Sequence, residues 1–279
     1  MDGKQMKISK KVILYVILAV LALIWIVPML TLLLTAIKGK KDFYSGLSLF
    51  SVPAEIAWNN FTNAITKGRL LTYMKNDLIV SGLKVPIGIV IEALAAFALT
   101  RLNIKHKTGW FVFFLVGMML PMQTALVPIN IIYSKLNLLN SYFGLFYVYV
   151  GFGISYGILI LRGFFKGIPK DIDEAAYIDG CTRWQMFWRI LLPIAKPAVA
   201  TLIITDFLAT WNEYLLASVI INDNMKKTVP VGIMTFVGEH GTDYGYLCAG
   251  VLLSVIPVLA VYLIFQRYFV EGMAGAVKS

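Results

Sequence analysis

Residues 12–37 read VILYVILAVLALIWIVPMLTLLLTAI, 26 consecutive positions without a charged side chain. A helix advances about 1.5 Å per residue, and about 20 apolar residues cross the hydrocarbon core of a bilayer. The run is therefore long enough to span a membrane. Lys4, Lys7, Lys10 and Lys11 precede it, as basic residues precede the apolar region of a secretory signal peptide. But the run is too long for such a region, and no A-x-A-like cleavage site follows. It is expected to be a retained membrane helix, in which Pro28 is tolerated as prolines are in such helices.

Five more apolar stretches follow. The second is expected at about Leu78–Leu99, interrupted by Lys84, Pro86 and Glu92, and the third at Trp110–Tyr133, containing Pro121 and Pro128. The fourth, Tyr142–Leu161, is rich in glycine and tyrosine. The fifth, Ala198–Ile220, holds Asp206 and Glu213, and the sixth, Tyr246–Gln266, holds Pro257. Only 14% of the 279 residues are charged and the mean hydropathy is +0.77, against about 25% charged in soluble domains. The expected fold is all-α, a six-span membrane domain over 12–268 with short terminal segments at 1–11 and 269–279. Two connections are too long to be simple turns: 38–77, with a surface helix around Trp58–Ile65, and 162–197.

Six spans place both termini on one side, and basic residues choose which. Fifteen Lys/Arg fall on the side of the termini and of the 162–197 loop, against nine on the other. The positive-inside rule therefore makes the termini cytoplasmic, and the same rule accounts for the net charge of +10. No Lys/Arg cluster carries the interleaved exposed aromatics of a nucleic-acid surface, so nucleic acid is not an expected partner. Cys181 and Cys248 give neither a metal-ligand spacing nor a disulfide framework.

The 162–197 loop has structure written into it. Pro169 followed by Asp171, Asp173 and Glu174 suits the first turn of a helix, and Gly180 offers the left-handed conformation that ends one. Thr182, with Gln185 three residues on, forms a capping box for a second helix. That helix would carry Trp184, Phe187, Trp188 and Leu191 on one face, with Pro193 ahead of the fifth span. A short helix, a sharp turn and an amphipathic helix are thus expected across the inner face of the membrane.

Glu174-Ala175-Ala176, with Gly180 four residues after Ala176 and then Ile190 and Leu192-Pro193, resembles the EAA loop of ABC importer permeases. The resemblance covers most of the chain and sharpens towards the maltose-type carbohydrate permeases. Ala95-Ala96-Phe97-Ala98-Leu99-Thr100-Arg101 is similar to that group's second-span ending, and Pro121–Pro128 with Leu138-Leu139-Asn140 to its third span and outer turn. Trp211-Asn212-Glu213 resembles a fifth-span motif, and Gln266–Gly272 with Gly275-Ala276-Val277-Lys278 resembles the tail. Cys181 departs from a common Ala, Ser279 from a usual Gly, and Lys84 and Glu92 are less typical.

The resemblance implies a multi-pass permease subunit of a bacterial cytoplasmic membrane, importing a carbohydrate. Its partners would be a second related permease, two ATPase subunits and an extracytoplasmic solute-binding protein touching the outer loop Asn222–Tyr244. ATPase coupling would fall to Glu174, Ala175, Ala176, Asp179, Gly180, Trp184, Phe187 and Pro193. No cofactor is expected in this chain, because ATP and Mg would be bound by the ATPase subunits. Independently, no G-x-x-x-x-G-K-[ST] occurs, so the chain does not supply a P-loop of its own.

Gly153-Ile-Ser155-Tyr-Gly157 matches the G-x-S-x-G of a nucleophile elbow, which requires a strand before it, a helix after it and a His partner. Here it lies inside an apolar span, and the two histidines, His106 and His240, lie in loops. A close-packed Gly-x-x-x-Gly helix face is the better reading, and catalysis is not expected.

Ionisable groups inside spans are costly and should face the bundle interior or water. Asp206, Thr210 and Glu213 fall at i, i+4 and i+7, one stripe of a continuous fifth helix, while Lys84 and Glu92 lie two turns apart on the second. Together with Asn212 they form either the wall of a translocation path or ion-paired glue between helices. As proton carriers in a secondary transporter, the carboxylates would leave the EAA-like loop unexplained.

Overall fold

The computed structural model describes residues 2–44, 48, 50–53, 55–237 and 242–276. Among them every regular element is helical: α1 Asp2–Ala36, α2 Lys40–Tyr44, α3 Asn59–Thr66, α4 Leu70–Arg101, α5 Lys107–Met118, α6 Met122–Lys135 and α7 Tyr142–Gly167. There follow α8 Asp171–Ile178, α9 Arg183–Met186, a π-turn at Phe187–Leu191, α10 Leu192–Ile194 and α11 Lys196–Trp211. The series ends with α12 Leu215–Ile220, α13 Val229–Ile233, a 3-10 turn at Met234–Phe236 and α14 Tyr244–Ala276. Four helices (α1, α4, α7 and α14) are long and apolar enough to cross a membrane; two bent pairs raise the number to six if each pair is one span.

The structure corrects two expectations of continuous helices. The third span is broken between α5 and α6, which meet at 91°. Pro121 caps α6 in an extended conformation, φ −64° and ψ 126°; its ring removes an N–H and drives the preceding residue out of the α region. The fifth span ends at Trp211 and resumes as α12 at Leu215. Asn212 Nδ2 turns back on the Leu208 carbonyl. Glu213 accepts from the Leu216 and Ala217 N–H groups, satisfying the open donors of a helix start.

The chain divides into two compact units. The first comprises Met1–Leu70 and Ile233–Val255. Its α1 is exposed from Lys11 to Leu30, Trp25 by 80%, and becomes buried at Thr35 and Ala36. The expected surface helix is α3, whose Asn60 Nδ2 donates to the Ala36 and Lys38 carbonyls at 2.8 Å and so satisfies the end of α1. Phe236 stacks on Tyr246 with ring centroids 4.2 Å apart.

The second unit comprises Leu71–Gly232 and Ile256–Ser279. α5 packs along α7, and α6 and α7 both pack on α12, around a core of Val80, Leu145, Tyr149, Leu216 and Ile220. α14 continues to Ala276, so residues 269–276 of the expected tail are helical backbone. Part of the expected outer loop is likewise helical, as α13. Gly238, His240 and Gly241 of that loop, and Val277, Lys278 and Ser279 of the tail, lie outside the described residues.

Candidate functional site

The loop between α7 and α11 folds as a helix, a turn and a second helical limb. Asp171, Asp173 and Glu174 occupy the first turn of α8, where carboxylates meet the positive end of the helix. The helix is closed by bonds from the Gly180 N–H to the Tyr177 carbonyl and from the Cys181 N–H to the Ala176 carbonyl. Gly180 sits at φ +76°, and a β-carbon there would have nothing within 4 Å, so glycine is required by the backbone alone. The capping box forms: the Thr182 hydroxyl accepts from the Gln185 N–H at 3.2 Å, and Gln185 Oε1 accepts from the Thr182 N–H at 2.8 Å.

The second limb departs from the single amphipathic helix expected. α9 passes into the π-turn just ahead of Pro193. Pro193 has no N–H for the Arg189 carbonyl four residues back, and the ladder widens there. Phe187 and Leu191 turn fully inward, while Trp184 stands 61% exposed. The rings remain clustered, Phe187 lying 4.9 Å from Trp188 and 6.2 Å from Trp184. Of the eight loop residues singled out, Ala176 and Phe187 are buried, whereas Glu174, Ala175, Asp179, Gly180, Trp184 and Pro193 are exposed. Beside Gly180, Ile178 is 87% exposed and Tyr177 49%, leaving an apolar tip on a polar loop.

The loop is anchored to the end of α4. Arg101 Nε lies 2.7 Å from Asp173 Oδ2, and Arg101 Nη2 donates to the Ile168 carbonyl at 2.9 Å. Phe97 packs on Phe187 with centroids 5.2 Å apart.

A second set of polar residues lies inside the bundle. Lys84 Nζ and Asp206 Oδ2 are 2.5 Å apart, their side chains 3% and 5% exposed. Glu92 is wholly buried, and neither carboxylate oxygen has a hydrogen-bond partner among the described residues. The two glycines of the Gly-x-x-x-Gly face allow this packing. A β-carbon at Gly157 would overlap the Glu92 carboxylate, and one at Gly153 would stand 3.0 Å from Lys84 Nζ. Gly153–Gly157 is helical throughout as part of α7, with no strand of the kind a nucleophile elbow needs.

The stripe expected from Asp206 through Thr210 to Glu213 is not continuous, because α11 ends between the last two. Thr210 is buried, Asn212 exposed and Glu213 half-buried. Besides capping α12, Glu213 accepts from the Tyr149 hydroxyl at 2.7 Å.

Asn76 and Asp77, which sequence reading passed over, and Asn140, noted there only as part of an outer turn, organise the opposite end of the second unit. Asn76 Nδ2 donates to the Met225 and Lys227 carbonyls at 2.8 and 2.9 Å, and Asp77 accepts from the Val229 N–H at 3.1 Å. Asn140, at φ +54°, accepts through Oδ1 from the Asn222 and Asp223 N–H groups. The signal was the polar pair Asn76-Asp77 heading an apolar run, a placement that is costly unless the groups have partners.

Residues 84–275 match the family described as binding-protein-dependent transport system inner membrane component. The chain is similar to the probable ABC transporter permease protein YurM of Bacillus subtilis, with 37% identity covering 90% of this chain and 83% of that protein. It is also similar to the probable starch degradation products transport system permease protein AmyC of Thermoanaerobacterium thermosulfurigenes, with 33% identity over 93% of this chain and 94% of the relative. Its fold resembles a chain in the crystal structure of a bacterial ABC transporter that imports alginate. The TM-score is 0.80 and the identity 22%, over 96% of this chain and 99% of that one.

Proposed function

This chain belongs to the family of binding-protein-dependent transport system inner membrane components, and from that premise we propose that it carries a carbohydrate across a bacterial cytoplasmic membrane as one permease of an ATP-driven importer. Its partners are a second, related permease, two ATPase subunits that bind ATP and Mg, and an extracytoplasmic solute-binding protein. The substrate class rests on the likeness to AmyC, named for starch degradation products. α1, exposed from Lys11 to Leu30, offers surface to lipid and to the second permease. The termini and the α8–α9 loop face the cytoplasm, on the balance of basic residues.

The observation that carries the reading is the exposed Glu174–Gly180 corner with Ile178 at its tip, on a chain without a P-loop sequence. Such a corner fits a cleft on a motor subunit. Closure of the ATPases on ATP displaces the corner, and the attached helices follow from an inward-facing to an outward-facing arrangement. The displacement requires that the ATPases bind the corner more tightly in one state than in the other. Lys84, Asp206 and Glu92, buried inside the subunit, serve as glue between α4, α7 and α11, and Asn212 and Glu213 at the end of α11 are the candidates for contact with solute. The proton-coupled alternative gives α8 and its capped turn no role.

Purification of the chain from its native membrane tests the proposal. An ATPase and a second six-span protein are expected to accompany it. Proton-driven uptake by the chain alone would overturn the reading.

A further inference from the structure

We propose that Arg101 is the positioning residue that makes α4 the rod between the α8–α9 loop and the 225–229 segment at the other end of the same helix. The proposal rests on the loop's being the ATPase-docking surface.

Arg101 ends α4, and its side chain is 5% exposed. Its guanidinium divides between two partners that bracket the start of α8: Asp173 in the first turn, and the carbonyl of Ile168 just ahead of the helix. The Asp173 contact is an ion pair and the Ile168 contact a hydrogen bond, and the planar fork that reaches both differs from a lysine ammonium on a flexible stem. Four residues earlier on α4, Phe97 holds the second limb of the loop through Phe187. Both limbs are therefore fastened to the last two turns of one helix.

α4 has 32 residues, a length of about 48 Å at the usual rise per residue. Near its other end Asn76 and Asp77 hold three backbone groups of the 225–229 segment, and the Tyr142 hydroxyl donates to Asn76 Oδ1. At mid-length the buried Lys84–Asp206 pair ties α4 to α11. A displacement of α8 has a continuous helical route to the 225–229 segment, interrupted in its hydrogen-bond ladder only at Pro86, and Arg101 is its first joint. By reciprocity, a ligand that favours one position of that segment biases the loop equally.

The test uses the complete transporter, reconstituted with its ATPases, partner permease and binding protein. Cys181 and Cys248 are replaced by serine, and Met225, 52% exposed, is replaced by cysteine. Two quantities are read: ATP hydrolysis, and the rate at which a fluorescent maleimide labels position 225 with and without nucleotide. In the otherwise unaltered complex nucleotide changes the labelling rate. In Arg101→Lys, and in Asp173→Asn, which keeps shape and loses charge, hydrolysis persists while the nucleotide-dependent change shrinks about tenfold, within the range of measured coupling energies.

If both variants keep the full labelling response, the rod is refuted. If hydrolysis and response fall in proportion, or if neither variant assembles, the pair is structural and the proposal is equally overturned. Failure of the underlying reading shows itself separately, as an otherwise unaltered complex with no associated ATPase activity.

Discussion

Replacement of Lys84 by methionine removes the cation paired with Asp206 from a buried cluster that holds two carboxylates. Asp206 loses its partner at 2.5 Å, and Glu92, already without hydrogen bonds, is left with a second unpaired carboxylate nearby. Breaking a buried pair from one side costs about 3–5 kcal/mol, chiefly through the uncompensated charge that remains. Asp206→Asn has a different consequence. Lys84 Nζ and Glu92 Oε1 lie 3.0 and 3.9 Å from the point where a β-carbon on Gly153 would stand, so the freed ammonium can turn to Glu92. That variant should cost about 1.5–3 kcal/mol, the worth of one charged hydrogen bond. The double change Lys84→Met/Asp206→Leu should recover much of the loss, since apolar replacements of buried pairs are often neutral. Melting of the purified complex, followed by tryptophan fluorescence, ranks the variants. Lys84→Met is expected to melt lowest, by roughly 10 °C at about 2–4 °C per kcal/mol, with Asp206→Asn and the double variant between it and the native protein. Equal shifts for the two single variants would refute the assignment of Glu92 as the second partner of Lys84.

Gly180→Val forces a β-branched residue to φ +76°, at a cost of at least about 1–2 kcal/mol, and should abolish most ATP-dependent uptake in an assembled complex while Gly180→Asn retains more; unchanged uptake in both removes Gly180 from coupling. Gly232→Ala places a methyl inside the buried Tyr73 ring and should destabilise by about 1–3 kcal/mol, an effect that Tyr73→Leu relieves if the overlap is its cause. Thr182→Ala removes one half of the capping box and should cost about 0.5–2 kcal/mol, visible as faster backbone hydrogen exchange in residues 183–186, with no change there speaking against the cap.

What the sequence disclosed were the features governed by local rules. Thr182 and Gln185 face each other across three residues, so their capping box could be foreseen, as could the left-handed turn at Gly180. The six apolar stretches were visible because a bilayer demands length and apolarity of every span. The breaks were harder to see. Pro121 interrupts a span whereas Pro28, Pro86 and Pro257 lie within helices, so a proline by itself does not announce a break. Glu213 looked like the third member of a stripe because periodicity assumes the helix continues. Its carboxylate instead starts the next helix. Arg101 and Asp173 are 72 residues apart in the chain, and no local pattern joins them. The buried state of Lys84, Glu92 and Asp206 could be expected from the cost of charge in hydrocarbon, but which carboxylate held the lysine required the fold.

The docking of the α8 corner on a motor subunit is tested most directly by a photo-crosslinking amino acid at Ile178, the most exposed large apolar side chain in the loop. Illumination of inside-out and right-side-out membrane vesicles holding the whole transporter should yield one dominant adduct between this chain and the ATPase, stronger with ATP bound. Capture of the binding protein, or labelling of position 178 by an impermeant reagent in right-side-out vesicles, would put the corner on the opposite face of the membrane and contradict the account.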